Sequence, residues 1–103
     1  MISARVTVAG VAVFICWLAG CATSPPIKEM SDARQAIAAA EQARAGELAP
    51  QTLSEARRYL TQAEERIREG SYGIARSDAI RAKTRAIYAL QASQAVFEEG
   101  TSP

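Results

Sequence analysis

Alanine recurring at spacings of four and three, over five positions, leaves this chain the fewest options for folding. Ala75, Ala79, Ala82, Ala86 and Ala89 fall on one line of a helix with 3.6 residues per turn, and Tyr72, Ser93 and Phe97 extend that line at its ends. A stripe of methyl groups has no bulk with which to fill a core. Whatever packs on it must approach at the short end of the roughly 8 to 10 Å range of interaxial distances. Ile80, Ile87 and Leu90 form a second line beside the first. Two lines predict two packing partners.

Both partners are found upstream. Over residues 27–45, Met30, Ala33, Ile37 and Ala40 recur at three and four and line one face. Gly46 reads as the end of that helix, and Pro50 suits the first turn of the next, where its missing N–H costs nothing. Residues 50–69 carry Leu53, Ala56, Leu60, Ala63 and Ile67 in an unbroken three-four pattern. Gly70 then supplies a left-handed stop and Ser71 an N-cap for a third helix over 72–99. No segment shows the period-two alternation of a strand. The expected fold is therefore all-α, a small antiparallel bundle of three helices in which a helical hairpin is joined by an N-terminal helix. Its expected core is Ile37, Leu53, Leu60, Ile67, Ile80, Ile87 and Leu90 with alanines between them. Ala33-Arg34, Ile37 and Ala40-Glu41 are echoed 23 residues later by Ala56-Arg57, Leu60 and Ala63-Glu64, as alanine-rich helices often are.

Ahead of this domain, Arg5 and an uncharged, largely apolar run over 6–18 have the layout of a secretory signal, too short for a span of roughly 20 apolar residues. The run ends in Leu18, Ala19, Gly20 and Cys21. These four resemble a bacterial lipobox at every position: small residues admit the membrane-embedded peptidase, and the cysteine thiol accepts a diacylglyceryl group. The expected organisation is a lipoprotein signal peptide over 1–20, a lipidated tether over 21–26, the alanine-rich helical domain over 27–99 and a tail over 100–103. Diacylglyceryl and N-acyl chains on Cys21, at about 0.8 kcal/mol per buried methylene, amount to a stable membrane anchor. Ala22, rather than an aspartate, follows the cysteine. By resemblance to sorted lipoproteins, that favours the periplasmic face of the outer membrane.

Composition narrows the chemistry. Processing would leave 83 residues from Cys21 onward, enough for one small domain. Without Arg5, eleven basic residues face eleven acidic ones, so net charge points to no class of partner. The chain has no histidine, and Cys16, its other cysteine, lies in the leader. A histidine base, a Cys/His dyad and the usual zinc sites are thereby excluded, and no phosphate loop or nucleophile elbow is present. The expectation is no catalytic residue, no metal and no cofactor beyond the lipid on Cys21.

The Ala49-Pro50 helix start, the spacing of Leu53, Ala56, Leu60 and Ala63, the Gly70-Ser71-Tyr72 turn and the ladder of Ala75, Ala79 and Ala82 together resemble the bacterial domain of unknown function 4398. The resemblance covers about residues 30–96. It implies an envelope lipoprotein or periplasmic module and carries no catalytic residues; some members are joined to a peptidoglycan-binding domain, which this sequence lacks. The turn and second half are also similar to part of a tetratricopeptide unit, although a solenoid needs several.

Two surfaces stand out as candidates. Arg76, Arg81, Lys83 and Arg85, offset only by Asp78, make a local positive excess that could meet an anionic surface or acidic partner. Against it stand ordinary spaced pairs on a wet face, Asp78 with Arg81, Glu41 with Arg44 and Glu64 with Arg68. Glu64-Glu65 and Glu98-Glu99 read as solvated, since adjacent helical residues point about 100° apart. At the far end of the third helix Ala92, Ala95, Val96 and Phe97 run past the shorter second helix as an apolar overhang, which either frays or folds against the first helix or offers a surface for a partner or a second copy. The functional expectation is a non-enzymatic structural or adaptor lipoprotein of the outer membrane that engages an envelope protein or itself, and not nucleic acid. The alternative is a periplasmic binding module for lipid or cell-wall glycan.

Overall fold

The structure is a computed structural model that describes residues 24–101. Leu18, Ala19, Gly20 and Cys21 lie outside the described residues. Four helices follow one another: α1 (Ile27–Gln42), the single turn α2 (Ala45–Leu48), α3 (Pro50–Arg68) and α4 (Tyr72–Thr101). The three long ones form the expected antiparallel bundle, α1 and α3 running in opposite directions and α4 returning parallel to α1. Pairs between helices fix this arrangement. Arg34 meets Glu64 at 4.0 Å and Glu41 meets Arg57 at 3.3 Å across α1 and α3, while Glu29 meets Arg76 at 3.3 Å and Asp32 meets Lys83 at 3.9 Å across α1 and α4.

The alanine line is the core. Ala75, Ala79, Ala82, Ala86, Ala89 and Ser93 are all buried. Near the α3–α4 turn Ala79 packs with Met30 and Ala63, flanked by half-buried Leu60 and Ile67. Farther up, Ala86 and Ala89 pack with Leu53, Ala56, Ile37, Ala40, Ala45 and Ala49, flanked by Leu60 and Leu90. Leu53 is the largest fully buried side chain.

The second line on α4 does not become a second core. Ile87 and Leu90 are half-buried, and Ile80 is 50% exposed, contrary to its expected place in the interior. The reason is angular. Ile80 stands about 120° around the helix from Ala86. Because the alanines let α1 and α3 come close, both neighbours crowd onto one line and leave Ile80 outside. The line also ends at Ser93: Tyr72 is half-buried and Phe97 lies in the open.

The loops divide into one expected turn and one unexpected one. Gly70 takes φ +80, its N–H donates to the Ile67 carbonyl, and the Ser71 N–H donates to the Arg66 carbonyl at 2.8 Å. That is a complete Schellman cap on α3. Ser71 begins α4 by offering its own carbonyl to Ala75 N–H. The α1–α3 connection, by contrast, does not turn at Gly46. Helix α1 stops at Gln42, three residues short of the expected 45, and it is Arg44 that adopts the left-handed conformation, at φ 65 and ψ 31. Its carbonyl accepts from Glu47 and Leu48 N–H, and its guanidinium pairs with Glu47. Gly46 sits inside α2, where a β-carbon would come 4.0 Å from Leu53. A side chain that can hold its own turn together takes the strained position, and Gly46 has room for a β-carbon at ordinary contact distance from Leu53.

Two of the three expected pairs along a single helix are replaced by pairs between helices. Glu41 turns to Arg57 and Glu64 to Arg34, while Arg44 takes Glu47; only Asp78 and Arg81 pair as expected, at 3.8 Å. Arg66, hydrogen-bonded to Glu69 at 2.9 Å with Asp78 also nearby, holds its proton more tightly than an ordinary arginine. A raised pKa contributes stability below the arginine range and loses it only above, so this group does not make folding depend on pH near neutrality.

Candidate interaction surface

Helix α4 is about 45 Å long and α3 about 28 Å, at 1.5 Å per residue. Since Pro50 begins α3 beside the last buried residues of α4, the final turns of α4 stand beyond the bundle. The overhang expected there is present. Ala92 and Ala95 are exposed, Val96 is 45% exposed and Phe97 62%. The helix ends at Thr101 rather than 99.

The overhang is not isolated from the rest of the chain. The last residues of α1 and the Arg44 turn rise beside it, and a cleft of about 410 Å³ opens between them. Gln42, Ala43 and Arg44 form one wall, and Ser93, Gln94, Phe97 and Glu98 the other. Ser93 donates its hydroxyl to the Ala89 carbonyl at 2.8 Å, so the floor is closed by a satisfied group. What remains is an open cleft with an aromatic ring on one lip and a guanidinium on the other. Such a surface suits a partner's apolar side chain flanked by polar groups.

The four basic residues of α4 do not converge. Arg76 faces Glu29, with a second bond to the Ser24 carbonyl at 3.3 Å; Lys83 faces Asp32; Arg81 faces Asp78; Arg85 meets Glu55 of α3 at 3.4 Å. They are spread over both flanks of α4, each beside a carboxylate. The local positive excess is thus matched from neighbouring helices. Among the described residues no group of three acidic, histidine or cysteine side chains is placed to hold a metal, and no helix is long and apolar enough to cross a membrane.

A family model described as a domain of unknown function, DUF4398, matches residues 28–99, nearly the whole of the three long helices. The chain belongs to the DUF4398 family. The match spans the alanine line, the Schellman turn and the cleft up to Glu99, so both candidate surfaces lie within the DUF4398 domain. No curated protein and no solved structure matches the chain.

The overhang was within reach of sequence reasoning because it follows from the lengths of two helices. The other lip was not. Nothing in the residues 42–44 marks a cleft wall, because it is the left-handed Arg44 that ends α1 early and raises that segment beside Phe97.

Proposed function

We propose that this DUF4398 protein is a lipid-anchored, non-enzymatic structural or adaptor module of the bacterial envelope, held by acylated Cys21 at the periplasmic face of the outer membrane. The observation that carries the reading is the exposed end of α4, where Phe97 lines the 410 Å³ cleft and Val96 stands exposed beside it. The partner is an envelope protein presenting a short apolar segment, or a second copy of the chain. Cys21 takes the lipid, and Leu18, Ala19 and Gly20 are the processing site.

Two experiments test this. A clickable fatty acid should label the wild type and not Cys21→Ser; label on the serine variant refutes the anchor. Crosslinking in intact cells should trap a partner or dimer that disappears when Val96 and Phe97 are both changed to serine, while helical content is kept. If the crosslinks persist, the lip is not the interaction surface. The second reading, a binding module for lipid or wall glycan, draws on the same cleft and would show as saturable binding of that ligand lost in the same double variant.

A further inference from the structure

The chain is already fixed to the bundle before α1 begins. Arg76 donates to the Ser24 carbonyl at 3.3 Å, the Pro25 carbonyl accepts Ile27 N–H at 2.9 Å, the Pro26 carbonyl accepts Met30 N–H at 3.0 Å, and Pro26 is fully buried. Within the expected tether over 21–26, Ser24, Pro25 and Pro26 are thus already held against the bundle. From Cys21 to Ser24 is three residues, a reach of at most about 11 Å when fully extended. An interfacial zone of headgroups is itself roughly 5 to 8 Å deep.

The same end of the bundle gathers the start of α1, the end of α3 and the start of α4. It carries two of the molecule's exposed large apolar residues, Ile27 at 75% and Ile74 at 56%. Exposed Lys28 and Arg68 stand at this end on long side chains, able to lay their methylenes along the interface and keep their charges at headgroup level.

We propose that this end, through Ile27, Ile74, Lys28 and Arg68, rests on the lipid bilayer, so that the bundle stands on the membrane and Phe97 is presented at the far end of α4. The proposal rests on lipidation of Cys21. The occupant is a bilayer rather than a protein because the acyl chains enter the membrane within three residues of the docked Ser24. The upright orientation follows from the short reach between Cys21 and the docked Ser24, which brings the end bearing Ile27 and Ile74 to the bilayer, while the exposed Ile80 and Tyr88 lie farther along α4.

The mature chain has no tryptophan, the single one being Trp17 in the leader, so an introduced indole reports one position. The lipidated protein, carrying Ile27→Trp, Ile74→Trp, Tyr88→Trp or Phe97→Trp, is reconstituted into vesicles of phosphatidylethanolamine and phosphatidylglycerol containing a brominated phosphatidylcholine. All four positions are exposed, so the fold tolerates them. Bromine quenching should be at least about twofold stronger at 27 and 74 than at 88 and 97. Quenching at Tyr88→Trp equal to that at the base overturns the upright orientation, and vesicle-bound protein without quenching at 27 and 74 overturns the contact itself. Failure of the protein to float with the vesicles removes the anchor, and the orientation falls with it.

Discussion

Replacing Ala79 by leucine tests the close approach on which the whole bundle depends. Ala79 is fully buried and packs against Ala63 of α3 and Met30 of α1, both buried as well. Leucine adds three carbons where the opposing alanine has nothing to withdraw. Met30, with its flexible chain, and half-buried Leu60 and Ile67 at the edge can yield in part. Overpacking of a filled core typically costs 1 to 3 kcal/mol, and with Ala63 unable to withdraw the upper part, about 2 to 3 kcal/mol, is expected. Helix propensity does not offset it, leucine being close to alanine on that scale. In a domain of this size each kcal/mol moves the thermal midpoint by about 4 to 8 °C, so the fall should be about 8 to 24 °C. Circular dichroism of the mature chain, scanned from the cold, reads it directly. Ile80→Ala, on the open face, is the control and should change stability by less than about 0.5 kcal/mol. An Ala79→Leu midpoint within about 2 °C of the wild type would refute the close-packed seam.

Four further substitutions, at three positions, follow from the same geometry. Gly70→Ala forces a β-carbon into φ +80 with nothing within 4 Å to clash, so a purely backbone cost of about 1 to 2 kcal/mol should appear in urea unfolding. At the other turn, Arg44→Gly should be neutral or stabilising by up to about 1 kcal/mol, whereas Arg44→Val, β-branched at positive φ, should destabilise by about 1 to 3 kcal/mol; equal effects would contradict the left-handed assignment. Leu53→Ala empties the largest fully buried site and should cost about 2 to 5 kcal/mol, enough to unfold much of a domain this small, as lost helical signal at room temperature would show.

What the sequence made legible was whatever depends on one helix at a time. Met30, Ala33, Ile37 and Ala40 are buried as a set, as are Leu53, Ala56 and Ala63, because three-four spacing alone places them on one face. Gly70 was readable for the same local reason, since its positive φ belongs to a standard cap. Ile80 was not, because its exposure depends on how closely two other helices approach the alanines. Arg44 was hidden by the preference that normally assigns left-handed turns to glycine, with Gly46 two residues away. Partners of Glu41 and Glu64 depend on which helix lies alongside, and so does the second lip of the cleft.

The alanine seam has one more consequence, for alignment. Alanine has no rotamers to freeze, so burying it loses no side-chain entropy, but a row of methyl groups offers no knob to lodge in a particular hole. Along α4 itself a slide of one turn would present much the same surface, so position along the row is marked by the larger side chains opposite it, Met30, Ile37 and Leu53. The native alignment is also marked by the ladder of charges flanking the row: Glu29 with Arg76, Asp32 with Lys83, Glu41 with Arg57, Arg34 with Glu64 and Glu55 with Arg85. Each exposed pair is worth at most about 1 kcal/mol, yet a slipped alignment forfeits all five together. Methyl groups on α4 thus set how near the helices lie, while the few large side chains opposite them and the flanking charges set where along their length they stop.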